Sequence, residues 1–138
     1  MSVAPPTKLS SAQARDLALA FFRLATQLGE YRFEHWEDTP RAERDRLESM
    51  EWRLLSYSSD FSTQSIQLDV DDIQPALDSV RDGTVRLTRA VDRLRTPRDA
   101  IGIATTAASL AAAVLTANAA AIAAAVAAAI DTADKTGR

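Results

Sequence analysis

The chain carries a single histidine and no cysteine, and those two counts limit the chemistry open to it. His35 sits beside Glu34 and three residues before Asp38, a spacing that allows a surface pair along one helix face. A hydrolytic relay needs more: a nucleophile placed against the base and a third group to orient it. Helical di-iron sites need Glu-x-x-His on two helices, and the residue three before His35 is Arg32. Glu30 and Glu34 lie one helical turn apart and have the spacing to share a metal, but two exposed carboxylates on a solvated face are the simpler reading. The absence of cysteine removes disulfides, thiolate metal sites and a cysteine nucleophile, and leaves the redox compartment open. No glycine-rich phosphate loop, zinc pattern or calcium loop is present. The sequence therefore predicts no enzyme, no cofactor, no metal site and no small-molecule substrate.

The basic residues offer a different kind of chemistry. Arg86, Arg89 and Arg93 recur on one helix face, and Arg95 and Arg98 follow closely. Asp78, Asp82 and Asp92 are near enough to make this an ordinary charged solvent face. Its sharper use is contact with an anionic surface such as lipid headgroups. Trp36 and Trp52 suit the same role as interfacial anchors, or serve as packing residues at the ends of a bundle; Trp52 falls off its helix's apolar seam and is expected to be partly exposed. A net charge of −3 and a pI near 5.1 argue against a dedicated nucleic-acid binder.

Apolar periodicity sets the elements that would hold these residues. Residues 1–9 contain Pro5-Pro6 and read as a disordered tail. A first helix over 10–36 opens on Ser10 and Gln13, a capping box, and repeats apolar residues at Ala14, Leu17, Phe21, Leu24, Leu28 and Tyr31. Ala18, Phe22 and Ala25 widen that face. A second helix over 40–68 starts at Thr39-Pro40 and runs through Leu47, Met50, Leu54, Tyr57, Phe61, Gln64 and Leu68. Its Ser/Thr-rich part, Ser56 to Ser65, competes for backbone hydrogen bonds and weakens the helix there. A third helix over 72–95, capped by Asp71 or Asp72, runs through Ile73, Leu77, Val80, Thr84, Leu87, Val91 and Leu94. These coiled-coil-like seams joined by short turns predict antiparallel neighbours.

The rest of the chain is organised by residues 100–130, which hold 31 residues, 17 of them alanine, without a charge. High helix propensity predicts one long helix over 97–131, with Thr96 as N-cap, Pro97 first and Asp99 third, then a tail over 135–138. Leu110, Val114, Ile122, Val126 and Ile130 recur every four residues with Asn118 filling the gap, and Leu115 lies beside the line. A helix apolar all round is normally buried in a core or a membrane. Its length suits a membrane span, and the arginines before it against Lys135 and Arg138 after it fit the positive-inside rule. Its few large apolar residues make insertion marginal, worth roughly −2 to −3 kcal/mol.

The fold expected is all-α: one domain over 10–134, an antiparallel up-down four-helix bundle with a long, apolar, alanine-rich last helix. The function expected is association without catalysis. Leu110, Val114, Leu115, Ile122, Val126 and Ile130 would contact a membrane or a second copy of the chain, one form of this being a membrane-permeabilising effector whose last helix is released on a trigger. Arg86, Arg89, Arg93, Arg95 and Arg98 would meet the anionic surface. The rival is a soluble scaffold with that helix permanently buried and a protein partner on its outer faces. No signal peptide is visible, so the expected location is cytoplasmic, with membrane association possible.

Overall fold

In the computed structural model, residues 7–68 and 73–137 are described. Helix α1, Ser11–Glu34, starts where its cap predicts: the Gln13 N–H donates to Ser10 Oγ at 3.1 Å, and the Ser10 N–H donates to Gln13 Oε1 at 2.8 Å. Thr39 does something other than cap the next helix. Its hydroxyl donates to the His35 carbonyl at 2.7 Å and is buried, so it closes α1. Helix α2, Arg41–Thr63, begins after Pro40 with no side-chain cap.

Helix α2 also stops short of residue 68. The Ser62 and Thr63 hydroxyls donate to the carbonyls of Ser58 and Ser59, the competition expected of this stretch. Strand β2, Gln67–Leu68, then pairs antiparallel with strand β1, Thr7–Lys8, and the Leu9 N–H donates to the Ile66 carbonyl at 2.9 Å. The expected disordered tail is thus ordered from Thr7 to Leu9, because Leu9, Ile66 and Leu68 are all buried and hold the two segments together. The expected cap at Asp71 or Asp72 lies outside the described residues. Helix α3, Gln74–Val91, carries Pro75 in its first turn, where the missing N–H costs nothing.

The predicted long last helix is two helices, α4 over Pro97–Leu115 and α5 over Ala119–Lys135. Thr96 caps α4 through the Asp99 N–H at 3.1 Å, as expected. The reversal is built at Ala117, whose φ of 61° lies in the left-handed region. Asn118 is the N-cap of α5, and its Oδ1 accepts the Ala121 N–H at 3.0 Å. The residue that interrupts the apolar line is therefore a helix start. Helix propensity favours one rod; a hairpin wins because α5 then packs against both α3 and α4. The bundle has five helices among the described residues, not four.

Contacts fix the directions. Arg32 meets Glu51, and the Ser58 hydroxyl meets the Ala18 carbonyl at 2.7 Å, so α1 and α2 are antiparallel. Thr106 of α4 meets Thr132 of α5 at 3.1 Å, as a hairpin requires. Helix α4 packs against all four other helices. Its buried face is mostly alanine, Ala100, Ala104, Ala107, Ala108 and Ala111, with Ile103, Leu110 and Val114 filling the space between. At Gly83 α3 faces Leu110 and Ala129: a methyl there would stand 3.4 Å and 3.6 Å from them, ordinary van der Waals contact, so the packing leaves room for one. Helix α5 ends against the turn that follows α3, where Arg93 Nη2 donates to the Ala133 carbonyl at 2.8 Å.

The reversal makes two opposite expectations for neighbouring residues. Ala117→Gly removes a left-handed strain of about 1–2 kcal/mol and adds back part of that as unfolded-state entropy, so it should stabilise the chain by up to about 1 kcal/mol in urea denaturation. Asn118→Ala removes the cap and should cost about 1 kcal/mol in the same measurement.

Candidate functional site

The large apolar residues expected to contact a membrane or another copy point inward. Leu110 and Val114 are fully buried, Ile122 and Val126 are buried, and Leu115 and Ile130 are half-buried. What α5 shows to solvent is methyl groups: Ala120, Ala124, Ala127 and Ala128 line its outer side, followed by Asp131 and Lys135, which pair at 3.0 Å. The arginines divide. Arg86 pairs with Asp82 at 3.2 Å and reaches Asp134 at 3.9 Å, and Arg93 ties α5 to the turn that follows α3. Arg89, Arg95 and Arg98 are exposed and form no ion pair among the described residues.

His35 sits at the end of α1, stacked on Tyr31 with ring centroids 4.3 Å apart, its Nδ1 3.1 Å from the Tyr31 carbonyl. Burial first, then the carboxylates of Asp99, Asp38 and Glu43, hold the Tyr31 phenol above its ordinary value of 10.0. Glu30 and Glu34 belong to one shallow groove with Tyr31 and His35, and no cluster of three metal-ligating side chains occurs among the described residues.

Two features were not read from the sequence. One is a buried ion pair: Arg32 Nε donates to Glu51 Oε2 at 2.6 Å and Arg32 Nη2 to Oε1 at 3.3 Å, with both side chains about nine-tenths buried. The hydrogen bond to Glu51 raises the Arg32 pKa further above its ordinary range. Gly29 makes room for this pair, since a methyl there would stand 2.8 Å from Glu51 Oε1. The sequence signal was a glycine one turn before a charged residue on a helix face that should be solvated.

The other feature is an aromatic face. Phe33 is 69% exposed, Trp52 64%, Phe22 49% and Trp36 43%. Phe22 had been expected to widen the core face. The ion pair explains where these residues stand. In an antiparallel helix pair, the residue after each facing residue turns about 100° to the same side. Phe33 follows Arg32 and Trp52 follows Glu51, so both leave the seam on one face, and Phe22, about three turns before Phe33, returns to it. The core residues Leu24, Leu28 and Tyr31 occupy the opposite side of α1. Trp36 stacks on Phe33 at 6.1 Å, and the Arg44 guanidinium covers Trp36 at 4.3 Å. Leu55 and Thr26 fill in the same face, so it has aromatic bulk and almost no charge along its middle.

A groove of about 370 Å³ also opens between α1 and α3, bounded by Leu17, Ala20, Leu77 and Thr84 and rimmed by Asp16, Arg23, Asp78 and Arg81. Its charges alternate in sign, and its floor is continuous with the core. Comparison of the chain with family models, with curated proteins and with solved structures gives no match.

Two measurements check this geometry. Glu51→Ala leaves the Arg32 charge buried without a partner and should cost roughly 3–5 kcal/mol, while Arg32→Leu with Glu51→Leu should recover much of that loss. Equilibrium denaturation of the two variants and the wild type gives the comparison. For Tyr31 the folded pKa is raised, so its contribution is complete below the unfolded value of 10.0 and is lost as pH climbs through the folded one. Tyr31→Phe should flatten the alkaline fall in stability seen in the wild type by thermal unfolding above pH 10.0.

Proposed function

We propose that this chain is a non-enzymatic helical-bundle protein that works by association, with α4 as a permanent core helix and partners taken on the outer faces. The observation that carries the reading is the exposed aromatic face of α1 and α2. Trp, Phe and Arg in a charge-poor patch are the residue types that supply most of the energy in protein interfaces. Exposed apolar clusters of this kind cost solubility and mark a surface that meets something.

The inserting reading draws on α4 itself. Pro97–Leu115 is long and apolar enough to cross a membrane, and about half of its most apolar stretch is buried. Arg89, Arg95 and Arg98 are exposed near its start, form no ion pair among the described residues, and suit an anionic surface. Insertion would require Leu110, Val114, Ile122 and Val126 to leave the core and the bundle to open. Because α4 touches every other helix, that opening would give up most of the fold's packing. This weighs toward the core-helix reading.

Vesicle flotation of the purified chain tests the choice. The protein should stay in the aqueous fraction with neutral and with anionic vesicles. Flotation that survives alkaline carbonate would overturn the core-helix reading in favour of insertion. Val126→Asp adds a second criterion: it should unfold the whole bundle, since the charge falls in the core, whereas a releasable hairpin would leave α1 to α3 folded.

A further inference from the structure

Two apolar faces remain on the surface, and they lie on opposite sides of the molecule. Packing runs from α1 to α2, from α2 to α4, from α4 to α5, from α5 to α3 and from α3 back to α1. In that ring α5 stands across from the α1–α2 pair and shares little or no packing with either. One copy of the chain cannot use one face to cover the other.

The faces differ in shape in a complementary way. The α1–α2 face is raised by Phe22, Phe33, Trp36 and Trp52. The α5 face is flat, because Ala120, Ala124, Ala127 and Ala128 project only methyl groups. Bulky side chains of one surface enter where the other has none, as in ridges-into-grooves packing. Two aromatic faces would collide at their ridges, and two alanine faces would bury little area.

Charge sets the direction. The aromatic face carries its charge toward its ends, and α5 carries no charged side chain before Asp131. The first turn of α5 has no acidic side chain, so the positive end of its dipole is not neutralised there. Glu48 is exposed toward the α2 start of the aromatic face, and at that end of the bundle it, Glu37, Asp38 and Asp45 outnumber Arg41 and Arg44. At the far end Arg15 is exposed and unpaired among the described residues, while α5 ends in the exposed Asp131, paired with Lys135. An α5 laid antiparallel to α1 sets the positive end of its dipole against Glu48, and its negative end, where Asp131 and Asp134 outnumber Lys135, toward Arg15. The parallel orientation would bring Asp131 toward the acidic end.

We infer that a second copy of this chain seats the alanine face of its α5 on the aromatic face of α1 and α2, in a head-to-tail contact that leaves both outer faces of the pair open for further copies. The inference rests on the association reading and names its partner. The contact is small: 17 residues of helix are about 25 Å long and 10 Å wide. It falls below the standard interface size, so association is weak, reversible and concentration-dependent, in roughly the micromolar to millimolar range. A heterologous contact between opposite faces does not close on itself, so the assembly grows beyond dimers.

The experiment is sedimentation equilibrium of the full chain over that concentration range, with Trp52→Glu and Ala124→Glu alone and mixed. Both positions are exposed, so both variants should keep wild-type helicity and unfolding midpoint. Phe33→Ser stands in for Trp52→Glu if the latter does not. The wild-type average mass should rise past that of a dimer, and each variant alone should stay monomeric. Mixed in equal amounts they should form dimers and nothing larger, because one supplies an intact α5 and the other an intact aromatic face. A monomeric wild type overturns the contact and leaves the association reading to the flotation result, which reads α4 and neither face. A variant that still dimerises alone overturns it too, pointing to a two-fold contact through its unaltered face. A mixture that remains monomeric overturns it as well.

Discussion

An alanine side chain has one methyl group to bury, worth on the order of 0.8 kcal/mol, and it contributes only if a neighbour comes close enough to cover it. That constraint shapes this molecule. Helix α4 buries a face made mostly of alanine, and it occupies the place where all four other helices reach it, with Arg98, Thr105 and Ser109 left on its exposed side. Its small residues let α1, α2, α3 and α5 approach, and the bulk that fills the core comes from them: Phe21, Leu24, Leu28, Leu47, Leu54, Phe61 and Leu87 are all fully buried. Larger residues at Ala104, Ala107 or Ala111 would push the surrounding helices apart, so the composition of α4 and the tightness of the bundle are one fact.

The same constraint explains the hairpin. A single straight helix of over thirty alanine-rich residues would outrun its partners and leave half its length uncovered. Turning at Ala117 brings the second half back beside the first and beside α3. The strained φ of one alanine is a small local cost against that gain. Polar residues then find roles that a rod would not give them: Thr106 meets Thr132, and Asn118 caps a helix.

What the sequence revealed and what it concealed divide along the same physical line. The seams of α1, α2 and α3 are strong periodic signals, and Ser10, Gln13 and Thr96 mark helix starts through local hydrogen bonds that need no tertiary context. The reversal at Ala117 has no glycine or proline to announce it; the only mark is Asn118, which fits an apolar line as a gap and a helix as a cap. The pairing of Thr7–Lys8 with Gln67–Leu68 joins segments far apart in the chain, which periodicity cannot report. Trp52 was legible as exposed because it falls off the seam of α2, but Phe22 and Phe33 were hidden for a related reason. Phe22 and Phe33 look like core by type, and only the Arg32–Glu51 pair, a contact between two helices, shows which way the neighbouring residues turn.

The place of α4 in the chain carries a consequence for how the protein is made. The helix that every other helix leans on comes fourth of five, so a chain growing from its N-terminus completes α1, α2 and α3 before their common partner exists. Their apolar seams, including Leu17, Phe21, Leu77 and Val80, face solvent or each other during that interval. At about 5–20 residues per second, the stretch from Val91 to Leu115 takes roughly one to five seconds to appear. The nascent chain passes through a window in which most of its hydrophobic surface has been synthesised and its centre has not, and the speed of translation through the alanine codons sets how long that window stays open.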